Sequence, residues 1–302
     1  MAITSYTEPL SAEQAETLRG VLEGQGFEFM EKPYTIFAAK KGKLNISVYE
    51  KGPKVLVQGK ETEEFVKFTL EPEILGEAKL GYEEELNPEM FEPHFGIDES
   101  GKGDFFGPLV IAGVYTDGKI TRQLMEAGIQ DSKAIKSDKR IRDFAEIIRN
   151  TRGVAYDVVA INPARYNELY KKFANLNKLL AWGHAKVIEN LIERRPDCPR
   201  ALSDQFANPR ELESAVKRKG STISVEQRTK AESDIAVAAA SILARENFID
   251  WLRDNGKSLG IQLPRGASKE VQRLTKDLRD ERGADFLNEV GKTHFKFAND
   301  LL

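Results

Sequence analysis

One stretch constrains this chain more than any other: Phe95-Gly96-Ile97-Asp98-Glu99-Ser100-Gly101-Lys102-Gly103-Asp104-Phe105-Phe106-Gly107-Pro108. Two adjacent carboxylates, Asp98 and Glu99, end an apolar strand and lead into a bare glycine-lysine-glycine turn. Gly107-Pro108 then opens a second apolar run, Leu109 to Tyr115. The pattern is strand, acidic tip, exposed-backbone loop, strand. Charge inside an apolar strand is costly unless it is paired or coordinates a metal. Metal ions held against a nucleic-acid backbone would use both the acids and the turn.

At 302 residues the chain suits two domains. Its formal charge of -3 argues against a passive nucleic-acid coat but leaves local basic patches open. Cys198 is the only cysteine, so neither an intrachain disulfide nor a cysteine-rich zinc site can form. His94, His184 and His294 are dispersed, which argues against a histidine-built zinc site. No apolar run approaches the ~20 residues of a membrane span. Met1 to Ser5 lacks the charged and apolar regions of a secretory signal. A cytoplasmic monomer with no membrane partner is the expectation.

Taken in order, Ser11 to Gly24 reads as a helix, with Ser11 and Gln14 as a capping box. Three extended runs follow, Tyr34 to Ala39, Leu44 to Tyr49 and Val55 to Gln58, and then a helical pattern over Glu63 to Leu70. Leu75 to Pro93, with Gly76, Gly81, Pro88 and Pro93, reads as a linker with a boundary near residue 85. The expected domains are thus residues 1–85, small and α+β, and residues 86–302, α/β. In the first, Lys32, Lys40, Lys41, Lys43, Lys51, Lys54 and Lys60 surround the strands. They suit either phosphate tracking or plain solvation of a sheet and its edges.

The second domain alternates strands and helices, which predicts a mixed sheet flanked by helices. Helices are expected at Ser137 to Asn150, from Pro163, at Leu176 to Glu193, from Asn208-Pro209 to Gly220, at Glu232 to Leu252, and from Ser268 onward. Strands are expected at Gly153 to Ile161, Pro199 to Asp204 and Thr222 to Val225. Asp204 ends a buried strand, and Glu232 starts a helix that continues through the small residues Ala238-Ala239-Ala240-Ser241. Small residues allow close helix–sheet approach, which would bring Glu232 to the strand tips beside Asp98, Glu99 and Asp204. Clustered carboxylates repel, and hard divalent cations relieve them. Oxygen-only ligation suits Mg2+ or Mn2+, and two such ions suit phosphodiester hydrolysis.

Taken alone, each of Asp204 and Glu232 reads first as a cap, and Asp234 competes with Glu232 for the fourth place. A phosphate-binding loop, Gly96-x-x-x-x-Gly101-Lys102, fails because Gly103 stands where the metal-binding hydroxyl belongs. The glycines of the turn expose backbone that can approach a ribose 2′-hydroxyl. Lys133, in Asp131-Ser132-Lys133, is a candidate phosphate contact.

Ile97 to Pro108 closely resembles the first motif of bacterial ribonuclease HIII, a type 2 ribonuclease H family. The resemblance extends through Asp131-Ser132-Lys133, Ala201 to Phe206, Lys230-Ala231-Glu232, Val237 to Arg245, Leu263 to Ser268 and His294-Phe295. It implies a ribonuclease H-like catalytic domain over residues 86–302 and a TATA-binding-protein-like substrate-binding domain over residues 1–85. It implies an endonuclease that cuts the RNA strand of RNA–DNA hybrids with Mg2+ or Mn2+, leaving 5′-phosphate and 3′-hydroxyl ends. Asp98, Glu99, Asp204 and Glu232 would be the catalytic, metal-binding residues; Ser100, Gly101, Lys102, Gly103 and Lys133 would bind substrate. Glu232, Lys102 in place of Arg, and the extra domain separate the chain from ribonuclease HII. Two alternatives stand beside this: HII-like cleavage at single embedded ribonucleotides, and a non-enzymatic nucleic-acid-binding protein.

Overall fold

The computed structural model describes residues 3–77, 83–206, 209–218 and 223–299. The chain divides into two units, Met1–Glu89 and Met90–Leu302.

In the first unit Ser11 and Gln14 make both bonds of the capping box and start helix α1 (Ala12–Gly24). Its Leu18 and Leu22 are buried against a sheet of β1 (Ser5–Pro9), β2 (Glu28–Met30), β3 (Thr35–Lys41), β4 (Leu44–Tyr49) and β5 (Lys54–Gln58). The order is β1-β5-β4-β3-β2, antiparallel throughout. Alternation sends Phe37, Ala39, Ile46, Val48, Val55 and Val57 into the core. Edge strands β1 and β2 were not foreseen: β2 is three exposed residues, with no alternation to read. The expected helix Glu63 to Leu70 is a short α2 (Thr62–Phe65) that continues as a π-type helix, Val66–Leu75, through Pro72.

The cross-strand register also sorts the lysines. Lys40, Asn45 and Gln58 share the face opposite the core, as do Tyr49 and Lys54. Lys32 joins them by donating to Ser47 Oγ at 3.0 Å, and Lys32 and Lys54 both lie over the Tyr49 ring. Lys41 instead bonds the carbonyl of Gln25 and lies over Phe27, while Lys43, Lys51 and Lys60 occupy turns. The face therefore carries three of the seven lysines, and two of them, Lys32 and Lys54, lie over Tyr49. In the stretch read as a linker lie α3 (Glu83–Leu86) and a 3-10 turn, Pro88–Phe91. Gly81 is outside the described residues.

The second unit is built on β6 (His94–Ser100), β7 (Leu109–Thr116), β8 (Ala155–Ile161), β9 (Arg200–Asp204) and β10 (Ser224–Arg228), in the order β10-β9-β6-β7-β8. The pairs β6–β7 and β7–β8 are antiparallel; β6–β9 and β9–β10 are parallel. The helices are α4 (Gly118–Glu126), α5 (Asp138–Asn150), α6 (Pro163–Phe173), α7 (Leu176–Arg194), α8 (Pro209–Arg218), α9 (Ile235–Leu259), α10 (Lys269–Arg282), α11 (Ala284–Val290) and α12 (Lys296–Asn299). Helix α4, capped by Asp117, was not foreseen. Asn208, Gly220 and Thr222 fall outside the described residues.

Two helices sandwich the centre of this sheet. On one face, α9 lies directly on β6: a Cβ at Gly96 would come within 2.2 Å of the Ala236 and Val237 backbone. On the other face lies α7: a Cβ at Gly113 would meet Leu191 and Val187 at 2.6 Å. The expected helix Glu232 to Leu252 needs correction. Ala231–Ser233 is a separate 3-10 turn, and α9 begins at Ile235 because Asp234 is its cap, accepting from the Ala236 and Val237 N–H groups at 2.8 and 3.2 Å.

Candidate metal and nucleic-acid site

Successive side chains on a strand face opposite ways, and the register shows where each acid goes. Glu99 pairs with Ile111, whose side chain would touch a Cβ at Gly183 of α7; Glu99 is therefore on the α7 face. Asp98 pairs with Ala112 and shares the α9 face with Gly96. On the neighbouring parallel strand, Ile97 is level with Ser203, which puts Asp204 one step on, beside Asp98. Leu202, of the same parity as Asp204, packs with Ala231 and Val237. The 3-10 turn carrying Glu232 is tied to this tip, since the Ala231 N–H donates to Asp204 Oδ1 at 3.3 Å. Asp98, Asp204 and Glu232 thus belong to the α9 side, and Glu99 to the other.

A cavity of about 500 Å3 opens at the strand tips. Asp98, Glu99, Ser100, Gly101, Lys102, Gly103, Lys133 and Asp204 all line it, so it gathers every residue expected from the sequence except Glu232. Arg245 and Arg265 complete its wall. Gly101 sits at φ +87, and a Cβ there would stand 2.2 Å from the Pro108 carbonyl oxygen, so the turn demands glycine. Around Gly103 a Cβ would meet nothing within 4 Å, which leaves open backbone on the cavity side. The turn is anchored from behind. Asp104 accepts from the Gly266 N–H at 2.6 Å, and the fully buried Lys292 donates to the Gly107 carbonyl at 2.5 Å.

The two adjacent acids have opposite electrostatics. Burial, then the Glu99 carboxylate, push the Asp98 carboxyl well above its ordinary value; Asp204 adds to this, and the Glu99 N–H and Lys133 offset part of it. Burial also acts to raise Glu99, but the hydrogen bond and charge of His184, with Lys102, outweigh it and hold Glu99 below its ordinary value. Its Oε2 accepts from His184 Nε2 at 3.1 Å, and its Oε1 lies 3.5 Å from Lys102 Nζ. Lys133 is the mirror case: burial acts to lower its ammonium, and the charges of Asp131, Asp98, Glu232 and Asp204 raise it instead.

These residues fit a divalent cation. The donors are all carboxylate oxygens, and Glu232 Oε2 is buried with no hydrogen-bond partner, a costly state that a cation relieves. At Asp98, burial and then the neighbouring Glu99 charge disfavour the carboxylate, and a cation would offset both. Among the described residues no three His, Cys, Asp or Glu side chains yet converge on one point. Glu99 in particular is turned to the other face and is paired with His184 and Lys102. Asp234 is spent elsewhere: besides capping α9, it pairs with the buried His94 Nε2 at 3.0 Å. Of the two rivals, only Glu232 retains a free oxygen.

Two kinds of residue are not apparent from the sequence. His184 contacts Glu99 and Ser203 contacts the other side of the His184 ring, and Arg245 and Arg265 line the cavity. The signal for His184 was a polar residue within the buried stripe Leu180, His184, Val187, Leu191 of a helix. The arginines stand inside the family-like motifs, where nothing in the residue order gives them a role.

A family model described as Ribonuclease HII matches residues 95–298, and one described as Domain of unknown function (DUF3378) matches residues 10–79. Over 301 residues the chain is 44% identical to the Ribonuclease HIII of Protochlamydia amoebophila, covering 100% of this chain and 98% of that protein. It is 44% identical over 300 residues to the Ribonuclease HIII of Chlamydia felis, covering 99% and 97%. The solved structure of Bst-RNase HIII in complex with Mn2+ superposes with a TM-score of 0.67 at 26% identity, covering 99% of this chain and 98% of that one. Aquifex aeolicus RNase H3 superposes with a TM-score of 0.56 at 29% identity, covering 96% and 100%. The ribonuclease H-like mixed sheet and the small antiparallel α+β unit expected from the sequence are both present. Acid-tipped hairpin, strand order and full-length similarity agree, and the chain belongs to the ribonuclease HIII family of type 2 ribonucleases H.

Proposed function

We propose that Asp98, Glu99, Asp204 and Glu232 are the carboxylates with which this ribonuclease H hydrolyses the RNA strand of an RNA–DNA hybrid, leaving 5′-phosphate and 3′-hydroxyl ends. The observation that carries the assignment is that Asp98, Glu99 and Asp204 share one cavity with the Gly101-Lys102-Gly103 turn. Divalent cations held there, Mg2+ or Mn2+, would neutralise the scissile phosphate and activate the attacking water. A solved relative is a complex with Mn2+.

The remaining roles belong to the chain itself. The open backbone at Gly103 lets a sugar approach, and Ser100, Gly101 and Lys102 read the RNA strand beside it. Lys133, Arg245 and Arg265 supply positive charge for phosphates along the cavity wall. Residues 1–85 serve as the substrate-binding domain, with the sheet face that carries Lys32, Lys40 and Lys54 as the phosphate-tracking face; residues 86–302 serve as the catalytic domain. No described helix is long and apolar enough to cross a membrane, and a cytoplasmic monomer is the proposed form.

The test is Asp98→Asn assayed with Mg2+ and with Mn2+ on an RNA–DNA hybrid, double-stranded RNA and a DNA duplex carrying one ribonucleotide. Hybrid cleavage should vanish while hybrid binding persists. Full activity with Mg2+ would remove Asp98 from the site, and rapid cutting by the parent at the single ribonucleotide would replace the hybrid preference with HII-like specificity.

A further inference from the structure

Glu99 stands apart from the other three acids, on the α7 face, and something must fix it there. Its neighbour is His184, fully buried in the middle of α7. The imidazole is gripped at both nitrogens. Nε2 faces Glu99 Oε2 at 3.1 Å, and Nδ1 faces Ser203 Oγ at 3.1 Å. A carboxylate only accepts, so Nε2 carries the proton that points at Glu99 whatever the charge of the ring. The Ser203 hydroxyl also reaches the Asp204 carbonyl at 3.0 Å. The Phe206 ring closes the side, its centroid 4.6 Å from that of His184. One chain of contacts therefore runs from the Glu99 carboxylate through His184 and Ser203 to the main-chain carbonyl of Asp204, behind the strand tips.

A free glutamate has three side-chain torsions and loses that freedom each time it binds an ion. With Oε2 held by His184, only Oε1 remains available, and its present neighbour is the half-exposed Lys102, at 3.5 Å. We propose that His184 is a positioning residue for Glu99: it holds Oε2 so that Oε1 alone is presented to a divalent cation, and Ser203 fixes the ring for this task. The idea rests on the carboxylate assignment above and adds to it the residue that orients one member. Histidine–carboxylate contacts behind metal sites act in this way, and their loss costs about 10–100-fold in metal affinity or activity.

The experiment is a Mn2+ titration of the full-length protein, followed by electron paramagnetic resonance of free Mn2+, alongside hybrid cleavage kinetics and thermal melting. His184→Leu removes the donor, and His184→Gln replaces it with an amide N–H. We expect His184→Leu to weaken Mn2+ binding about tenfold or more, to lower kcat, and to leave KM for the hybrid unchanged. His184→Gln should recover much of the Mn2+ affinity even though both variants melt lower than the parent. Parental Mn2+ affinity in His184→Leu overturns the proposal, and so does an equal loss in the two variants, which would make His184 a packing residue only. Glu99→Gln in the same titration separates the two readings. Parental affinity there sinks the carboxylate assignment, whereas weakened Glu99→Gln beside unaffected His184→Leu sinks only the role of His184.

Discussion

At the scale of single residues, Glu232 and Asp234 show how two acids in one short segment do different work. Asp234 is buried, caps α9 and pairs with His94. Glu232, two residues earlier, has an oxygen that no protein group satisfies. Their substitutions should separate cleanly. Glu232→Gln should keep the parental melting temperature and lose about 100-fold or more in kcat, some 3 kcal/mol of barrier. Asp234→Ala should lose roughly 3 kcal/mol of stability, from the cap and the buried pair together. Urea denaturation and steady-state kinetics on both variants check this; a thermally crippled Glu232→Gln would reverse the assignment. The Asp98-Glu99 pair was legible because apolar strands do not carry adjacent acids without cause. Spacing alone did not choose between Glu232 and Asp234, because a cap and a ligand need the same residue type at the same end of a helix; only the family resemblance favoured Glu232.

At the scale of elements, the decisive event is the contact between α9 and β6. The run Ala236 to Ser241 supplies small residues from the helix, and Gly96 supplies the missing side chain from the strand. Next to this contact the turn carrying Glu232 is tied to the tip of β9, through the Ala231 N–H and Asp204. Gly96→Ala should therefore force α9 and β6 apart. We expect a loss of roughly 1–3 kcal/mol in a urea melt, and a fall in kcat larger than that in hybrid affinity, because Asp98 lies two residues further along β6. Parental stability would mean that α9 has room to spare. The small-residue run was readable in advance as a close-packing helix. That its partner would be Gly96 was not, since either face of either hairpin strand could have received it. The start of α9 was misplaced for a related reason: helical periodicity continues smoothly through Glu232, and only the backbone of Asp234, extended at φ -77 and ψ 134, breaks it.

At the scale of the whole molecule, two units with separate cores are joined in one chain. In the first, Lys32, Lys40 and Lys54 lie on the sheet face opposite the core. Replacing all three by Gln should weaken hybrid binding and flatten the dependence of log K on log salt by about two to three units, roughly one for each phosphate that no longer has a lysine beside it. With saturating hybrid, kcat should hold. A binding assay across a salt series decides it, and an unchanged slope would return these lysines to the role of a solvated sheet surface.

What the amino-acid order determined by itself was local: capping pairs such as Ser11 and Gln14, strands bounded by glycine and proline, and an acid pair too costly to be accidental. These depend on neighbours a few residues apart, so the chain declares them directly. Strand parity and register were decided only in three dimensions. They place Asp98 beside Asp204 under α9, turn Glu99 to the opposite face, and set His184 from the middle of α7 against it. Residues 99, 184 and 203 meet because a parallel pairing and a packed helix bring them together, and no spacing along the chain encodes that meeting.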